Sequence, residues 1–328
     1  MATILFLGER LFMKFPDFSY FESRAHEIDG EFISTQGMSE DELFSILPRA
    51  DALVVIGRPI TRAMIEAAKK CRLIMTLSVG YDVVDLAAAT ERGIVVSNSP
   101  VYCSEEVADH AITLALTVGR KIRSLDRHVR GGGWDYKQAR PMHSLRNQTF
   151  GVLGLGRIGR HSARKAKALG MRVTAYDPYL DDDIFSLLGV ERFYDLQPML
   201  TAVDYLTIHA PLTDETYHLI DADAFSMMKP ESVIINTARG AIIDREALEQ
   251  ALSSGSIGGA GIDVLETEPP SGEEPLLTME NAVITPHIAW YSEESHVENM
   301  VLGMDELVRV LQGKRPRYIV NPQIYSRR

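Results

Sequence analysis

Cysteine is scarce in this sequence, which has only Cys71 and Cys103 among its 328 residues. Two cysteines are too few for a disulfide framework, so a packed apolar core must hold the fold. Hydrophobic residues form 45% of the chain and charged residues 24%, a balance that is ordinary for a folded globular protein and excludes general disorder. We therefore expect a reduced protein of the cytoplasm.

Excess positive charge is also lacking, since the formal net charge is −11 at pH 7. This balance disfavours a nucleic-acid backbone or an anionic membrane surface as the main partner. Basic residues that follow Gly119 fit the solvated face of a helix better than a nucleic-acid stripe; they are Lys121, Arg123, Arg127 and Arg130. We expect neither a nucleic-acid nor a membrane partner.

Long apolar runs and metal-ligand spacings are missing too. No stretch approaches the length of a membrane span, and residues 1–8 lack the basic leader and cleavage site of a signal peptide. No pair of Cys or His residues has the spacing of a structural zinc site, and His209 and His218 fall on different predicted elements. No metal is expected.

What the sequence does contain is a repeated alternation of short apolar runs with amphipathic stretches. That pattern is typical of parallel sheets covered by helices, and the length suits two domains. The first block has predicted strands at 4–7, 52–56, 73–77 and 94–96, and the second at 149–153, 172–176, 205–209, 232–236, 259–262 and 282–285. A single long helix from Ser104 to about Arg130 is predicted between the two blocks, and a final helix is predicted at 292–312.

A glycine-rich loop opens the second block. It reads Gly154-Leu155-Gly156-Arg157-Ile158-Gly159, with an apolar strand before it and an amphipathic helix after it. Gly154 permits the tight turn, Gly156 lets the backbone approach a pyrophosphate, and Gly159 allows close packing of helix on strand. The N–H groups at the helix start then face the phosphates, so the loop predicts a dinucleotide site.

Asp177 decides which dinucleotide the loop prefers. It ends the next apolar run, 18 residues after Gly159. A carboxylate there can accept hydrogen bonds from the ribose hydroxyls and repels a 2′-phosphate, while Pro178 and Tyr179 supply no cation for that phosphate. NAD is therefore predicted rather than NADP.

Several separated motifs resemble the D-isomer-specific 2-hydroxyacid dehydrogenases, in the right order along nearly the whole chain. Besides the glycine loop, they are Ser78-Val79-Gly80-Tyr81-Asp82, His209-Ala210-Pro211-Leu212-Thr213, Asn236-Thr237-Ala238-Arg239-Gly240, Gly261-Ile262-Asp263-Val264 with Glu266-Thr267-Glu268-Pro269, and Thr285-Pro286-His287. Residues 289–293 look like the branch that contains the C-terminal binding protein corepressors.

The resemblance implies two doubly wound parallel-sheet α/β domains. A central Rossmann NAD-binding domain is expected at 101–289. A discontinuous, flavodoxin-like substrate domain is expected at 1–100 plus 290–328. The family is typically dimeric through the helix that follows the first domain, which matches 104–130 here, so a homodimer is expected.

The resemblance also implies a catalytic triad of Arg239, Glu268 and His287. Reduction of a 2-keto acid needs a hydride donor, a proton donor at the carbonyl oxygen and a cation for the carboxylate. Arg239 can hold a carboxylate with its planar fork, and His287 can donate the proton and take it back in reverse. Glu268 would hold the other imidazole nitrogen and favour the protonated ring.

Further cofactor contacts are implied by the family. Arg157 and Ile158 would offer backbone N–H groups to the pyrophosphate. Residues expected on the adenosine side are His209, Ala210, Pro211 and Thr216. Residues expected near the nicotinamide are Val107, Thr237, Ala238 and Asp263, together with Arg239 and His287.

Substrate contacts are expected from a second set of residues. The backbone N–H groups of Val79 and Gly80 can form a concave anion site. Trp290 is expected at the substrate pocket unless it packs a domain junction, and Tyr102 is either a substrate contact or structural. Thr76 stands where the corepressor branch carries an arginine, so one carboxylate contact is expected to be missing.

The sequence thus predicts an NAD-dependent D-2-hydroxyacid dehydrogenase, a 2-keto acid reductase that acts on the CH–OH group of its donor. An NAD-gated, dimeric, corepressor-like binding protein is the alternative, because the corepressors retain a triad. A third reading keeps the dehydrogenase but gives it formate-, phosphite- or phosphoglycerate-type substrates.

Overall fold

The computed structural model describes residues 1–8, 18–272 and 274–326. Contacts divide the chain into unit 1, made of Met1–Cys103 and Ser292–Arg328, and unit 2, made of Ser104–Tyr291. The predicted domain boundaries, 100/101 and 289/290, lie within three residues of these junctions.

The secondary structure alternates between strands and helices. Strands of the described residues are β1 Ala2–Gly8, β2 Gly30–Ser34, β3 Ala52–Ile56, β4 Leu73–Thr76, β5 Val95–Ser97, β6 Thr149–Leu153, β7 Arg172–Tyr176, β8 Glu191–Phe193, β9 Tyr205–Ile208, β10 Val233–Asn236, β11 Gly259–Ile262 and β12 Ala282–Ile284. Their α-helices are α1 Ser19–His26, α2 Glu40–Ile46, α3 Arg62–Ala67, α4 Leu86–Glu91, α5 Ser104–Gly119, α6 Ile122–Arg130, α7 Arg157–Ala168, α8 Asp182–Leu188, α9 Leu196–Ala202, α10 Ala222–Met227, α11 Arg245–Ser254 and α12 Glu293–Leu311.

Unit 1 contains a five-stranded parallel sheet in the order β2-β1-β3-β4-β5. Alternate residues of β1 enter two different cores: Leu5 and Leu7 pack on one face, and Ile4 and Phe6 on the other. Because both faces are covered, the central strands are mostly apolar, and β3 is apolar at every position. This strand order is the flavodoxin-like one, so that prediction is confirmed.

Unit 2 contains a seven-stranded parallel sheet in the order β12-β11-β10-β9-β6-β7-β8. Within this sheet, the chain first forms β6, adds β7 and β8 on one side of it, and then places β9 on the other side of β6. The carboxyl ends of β6 and β9 therefore flank the point where the strand order reverses, which is where ligands bind in open sheets of this kind. The predicted Rossmann order is confirmed.

Two edge strands were not predicted. β2 pairs only with β1 and is half-buried over most of its length, and β8 pairs only with β7. β8 has just three residues, two of them charged. An edge strand needs little apolar surface, so its sequence carries little of the pattern that marks a central strand.

The single helix predicted from 104 to 130 was wrong, because the structure breaks it into α5 and α6. Lys121 adopts a left-handed backbone with φ 53° between them. Just before the break, a Cβ on Gly119 would lie 2.0 Å from the Tyr205 hydroxyl, so a side chain there would displace the end of the Tyr205 side chain. α6 itself buries none of its residues.

Candidate active site

The glycine loop joins β6 to α7, at the point where the strand order of unit 2 reverses. Gly154 has φ 90°, and a Cβ there would lie 2.7 Å from the Ala210 nitrogen. On Gly159 a Cβ would lie 2.1 Å from the Gly154 oxygen. These two glycines are required by the turn and by helix–strand packing, as the sequence predicts.

Gly156 differs from the other two glycines, because a Cβ there would meet no atom within 4 Å. It precedes α7, whose N-terminus has no side-chain cap. The helix therefore presents uncapped N–H groups of Arg157 and Ile158 to the open space beside Gly156. This cradle fits a dinucleotide pyrophosphate, and the open space means that the fold itself does not require a glycine at 156.

Asp177 lies directly after β7 and is tied to the glycine loop. Its carboxylate accepts hydrogen bonds from the Leu155 N–H at 2.9 Å and the Tyr179 N–H at 3.0 Å. These bonds hold the side chain beside the loop at the carboxyl edge of the sheet. The position suits the predicted contact with a ribose.

His209 follows β9, and its ring turns into the domain. The Nε2 atom lies 2.9 Å from Ser162 Oγ on α7 and 3.1 Å from Thr207 Oγ1. Burial of the ring lowers the pKa of His209 to about 3, so the ring is neutral at ordinary pH. It fastens α7 to the sheet, which leaves its backbone, rather than its ring, for the predicted contact on the adenosine side.

The loop after β10 carries Arg239 and is shaped by Asn236. The Asn236 side chain accepts from the Ala238 N–H at 3.0 Å and donates to the Arg239 carbonyl at 2.8 Å. A Cβ on Gly240 would lie 2.1 Å from the Leu265 carbonyl carbon, so only glycine lets the two backbones touch. This contact brings the Arg239 loop against the segment that leads to Glu268.

Thr237 lies in the same loop and is buried. Its Oγ1 atom has no hydrogen-bond partner among the described residues. A buried hydroxyl without a partner is costly unless a ligand supplies one. The Thr237 side chain therefore fits the predicted cofactor contact.

The loop that carries His287 is held by Asp263. Three consecutive N–H groups donate to this one residue: His287 to the Asp263 carbonyl at 2.8 Å, Ile288 to Oδ1 at 3.0 Å and Ala289 to Oδ2 at 2.9 Å. To turn all three inward, His287 adopts a left-handed backbone with φ 51°. Asp263 thus fixes the histidine loop, and both oxygens of its carboxylate already accept N–H groups of that loop. The predicted contact between Asp263 and the nicotinamide stays a prediction.

His287 and Glu268 form the pair predicted from the sequence motifs. The Nδ1 atom of His287 lies 2.7 Å from Glu268 Oε2, and Glu268 Oε1 accepts from the Leu265 N–H at 2.8 Å. Trp290 closes the turn, because its Nε1–H donates to the His287 carbonyl at 3.1 Å. The pair can orient an imidazole and support its positive charge, which is what a proton donor needs.

The turn after β4 in unit 1 contains Val79 and Gly80. Asn98 Nδ2 donates to the Val79 carbonyl at 2.6 Å, and Ser78 Oγ donates to the Gly80 carbonyl at 2.6 Å. With both carbonyls engaged, no described hydrogen bond uses the N–H of Val79 or Gly80. Two amides at the carboxyl edge of a parallel sheet suit the predicted anion site.

The remaining residues that were predicted to contact a ligand lie on several different elements. Tyr102 is 6% exposed at the end of the first stretch of unit 1, and Val107 is 6% exposed on α5 of unit 2. Thr216 Oγ1 donates to the Pro211 carbonyl at 2.6 Å, so it braces the loop that begins with Ala210. For each of these residues, contact with a ligand stays a prediction.

Thr76 occupies the position where a carboxylate contact is expected to be missing, and that expectation stays a prediction. Its side chain is 0% exposed within β4. Its Oγ1 lies 3.5 Å from the Ser97 carbonyl of the neighbouring strand. The threonine belongs to the interior of the sheet and offers nothing to a ligand.

Sequence reasoning missed the residues that hold the site in shape. Asn236 and Gly240 stand inside quoted motifs, but nothing in the motif states that one closes the turn and the other admits a neighbouring backbone. His110 Nε2 and Thr285 Oγ1 lie 2.9 Å apart at the Asp263 carboxylate; His110 gave no signal, and the motif that contains Thr285 does not show this contact. Contacts between distant segments decide their roles.

Two further searches concern metals and membranes. Within the part of the chain that the structure describes, no group of three or more His, Cys, Asp or Glu side chains is placed to hold a metal ion. Among the described helices, none has both the length and the apolar character that crossing a membrane would require.

Comparison with known proteins gives concordant results. Residues 112–289 match the family model described as D-isomer specific 2-hydroxyacid dehydrogenase, NAD binding domain. Glyoxylate reductase of Korarchaeum cryptofilum is 38% identical over 84% of this chain and 83% of that protein. D-3-phosphoglycerate dehydrogenase of Methanocaldococcus jannaschii is 38% identical over 89% of this chain, and the match spans only 56% of that longer protein.

A solved structure shows the same fold over the whole length. The NAD-dependent formate dehydrogenase from Staphylococcus aureus, in complex with NAD, aligns with a TM-score of 0.85 at 30% identity, covering 98% of this chain and 99% of that one. Together with the two parallel sheets and the loop at the start of α7, these matches establish that the chain belongs to the D-isomer-specific 2-hydroxyacid dehydrogenase family, with its NAD-binding domain in residues 112–289.

Proposed function

We propose that the protein is an NAD-dependent D-2-hydroxyacid dehydrogenase that reduces a small 2-keto acid to the 2-hydroxy acid, with NADH and one proton consumed. The observation that carries the proposal is the His287–Glu268 pair at 2.7 Å in the same unit as a glycine loop shaped for a pyrophosphate. Such a pair is what proton transfer needs. Because the corepressor-like alternative would retain the pair too, turnover is the measurement that separates the two functions.

His287 is the proton donor. Glu268 holds Nδ1, so the proton passes from Nε2, on the opposite side of the ring, to the carbonyl oxygen of the substrate. Bound NADH supplies the hydride to the carbonyl carbon. In the reverse direction Nε2 takes the hydroxyl proton, and the Glu268 carboxylate stabilises the imidazolium that results.

Arg239 and the Val79–Gly80 turn are the proposed carboxylate ligands. A guanidinium binds a carboxylate through two parallel hydrogen bonds, and its loop is fixed by Asn236 and by the close approach at Gly240. The two backbone amides of the turn in unit 1 supply further donors without adding charge. Unit 1 is therefore the proposed substrate domain, and Trp290 and Tyr102 are proposed to contact the substrate.

NAD is the proposed cofactor in preference to NADP, because Asp177 places a carboxylate beside the loop and would repel a 2′-phosphate. The 2-keto acid panel that tests the activity contains glyoxylate, hydroxypyruvate and phenylpyruvate. Each acid is assayed with NADH and with NADPH by loss of reduced-nicotinamide absorbance. We expect turnover with at least one of them, at a clearly higher kcat/KM with NADH.

Two substitutions assign the roles within that assay. His287→Asn should lower kcat about a thousandfold, because proton transfer is lost. Arg239→Gln should raise KM for the keto acid about a hundredfold, because a bidentate charged contact is lost. His143→Asn and Arg172→Gln, which change exposed side chains elsewhere in unit 2, are the matched controls and should leave both constants unchanged. Absence of turnover with every acid would remove the proposal.

The protein is also proposed to form a homodimer through α5 and α6. Support comes from the apolar side chains that α6 and the following segment leave exposed, namely Ile122, Val129, Trp134 and Tyr136. Light scattering should give twice the mass of the chain, and the mass of a monomer would contradict this.

A further inference from the structure

His110 on α5 has a role that the proposed reaction does not yet include. Its Nε2 atom lies 2.9 Å from Thr285 Oγ1 and 3.6 Å from Asp263 Oδ1. Thr285 directly follows β12 and begins the loop that carries His287. A ring on one helix thus contacts the two residues that shape a distant loop.

The direction of these hydrogen bonds follows from proton counting. Thr285 Oγ1 donates to Asp263 Oδ1 at 2.5 Å, and the ionised carboxylate can only accept. A hydroxyl has one proton, so Thr285 must accept from its other neighbour. His110 therefore donates from Nε2, and its ring carries a proton on that nitrogen.

The carboxylate at the end of this chain has no access to water. The Asp263 side chain is 0% exposed, and its two oxygens take the N–H groups of Ile288 and Ala289. A buried carboxylate keeps its place only if donors surround it. The third donor to this carboxylate is a side chain, the hydroxyl of Thr285, which His110 aligns.

We propose that His110 is a positioning residue. Its Nε2–H aligns Thr285, Thr285 aligns the Asp263 carboxylate, and the carboxylate fixes the backbone of residues 287–289, so that His287 presents Nε2 in the direction of proton transfer. The proposal rests on the assignment of His287 as proton donor. His110 thus differs from its neighbours on α5 that make only apolar packing contacts, namely Ala111, Leu114 and Ala115.

The kinetic test compares two replacements of different chemistry. His110→Leu removes the donor and keeps an apolar side chain, and we expect kcat to fall about tenfold, the loss typical of one hydrogen bond in a buried network, with KM for NADH within about twofold. His110→Gln carries an N–H₂ group at the end of its side chain and should recover most of kcat. Thr113→Val, which removes an exposed hydroxyl from the same helix, is the control and should leave kcat unchanged.

A second pair of variants tests the linkage through Thr285. Thr285→Val breaks the same chain one step later, so the double variant with His110→Leu should be no slower than the slower single variant. Multiplied effects would show that the two residues act separately and would overturn the proposal. Equal loss of kcat in His110→Gln and His110→Leu would do the same, because it would mean that only the shape of the ring matters.

An activity-independent measurement uses the ¹⁵N signals of the His287 ring, identified by their absence in His287→Asn. We expect them to shift in His110→Leu and Thr285→Val and to return towards the wild-type positions in His110→Gln. Unchanged signals in all three variants would overturn the positioning role, whatever the kinetics. If the wild type reduced no keto acid, the proposed function would fail, and these spectra would still decide whether His110 controls His287.

Discussion

Two loops of unit 2 build the candidate site in opposite ways. The glycine loop depends on positions without side chains, since Gly154 adopts φ 90° against the Ala210 backbone and Gly159 admits the Gly154 carbonyl. The histidine loop takes its shape from Asp263, a distant residue that accepts three N–H groups and holds His287 at φ 51°.

The difference shows where each loop can be damaged. A left-handed backbone costs a histidine about 1 to 2 kcal/mol, whereas a glycine adopts it at no steric cost. The histidine loop therefore depends on the hydrogen bonds of one buried carboxylate, and the glycine loop depends on having no side chains. The predictions below separate these two dependences.

The largest effect is expected from Asp263→Asn. Both oxygens of the Asp263 carboxylate accept a backbone N–H of the histidine loop. In either orientation, the asparagine amide therefore places its N–H₂ group against one of these N–H donors. We expect about 3 kcal/mol less free energy of unfolding and a kcat about a hundredfold lower. Urea unfolding and steady-state kinetics measure the two effects.

Asp221→Asn is the control for that experiment. Asp221 also accepts a backbone N–H, from Ala224 at 2.9 Å, but at the exposed start of α10. Asparagine caps helices as well as aspartate, so stability and kcat should stay close to wild type. If Asp263→Asn behaved like this control, the histidine loop would not depend on Asp263.

The second prediction divides the glycines by role. Gly154→Ala should lower the free energy of unfolding by about 2 kcal/mol without any cofactor, because its Cβ meets the Ala210 backbone in a left-handed conformation. Gly156→Ala should leave that free energy unchanged and weaken NADH binding roughly 30-fold, about 2 kcal/mol.

Urea unfolding of the free protein and titration of NADH fluorescence measure the two quantities. Each glycine variant serves as the control for the other. Wild-type affinity in Gly156→Ala would mean that no pyrophosphate approaches that position.

The third prediction concerns His209 and is confined to acid pH. Its pKa is about 3 in the folded protein against 6.5 for an ordinary histidine, so between these values the unfolded chain binds the additional proton. The contribution of His209 to the free energy of unfolding is therefore complete above about pH 6.5. It declines as the pH falls and is lower by about 2 kcal/mol at pH 5.

Unfolding free energies at pH 7 and pH 5 check this expectation. His209→Asn should remove about 2 kcal/mol from the difference between the two values, and His26→Asn, on the exposed side of α1, should leave the difference in place. A difference that is the same in wild type and His209→Asn would show that His209 does not contribute to it.

Much of the fold could be predicted because buried parallel strands carry strong signals. The runs at 52–56, 149–153, 172–176 and 259–262 match β3, β6, β7 and β11 residue for residue. Signals were weak where a strand lies at an edge, as in β2 and β8, and where a helix pattern continues across a break. The pattern of 104–130 remains helical on both sides of Lys121, so it does not show the left-handed residue that interrupts the helix.

The site divides in the same manner. The glycine loop and Asp177 were predicted from residue types and spacing, and Arg239, Glu268 and His287 from resemblance to a family. The fixed position of Arg239 was not predictable, because Gly240 meets a backbone from another segment. The enclosure of Thr76 was not predictable either, since a pattern of apolar residues does not show which alternate positions are wholly enclosed.

The sequence by itself determined the dinucleotide loop and the two-domain α/β plan, and its resemblance to a family named the groups proposed to transfer a proton and bind a carboxylate. These depend on local conformation and on the chemistry of single residues. Only the tertiary structure decided how His287 is oriented, why its loop needs Asp263, and that His110 and Thr285 support that carboxylate. Such contacts join residues far apart in the chain, and the burial that makes a carboxylate depend on its donors exists only after the chain has folded.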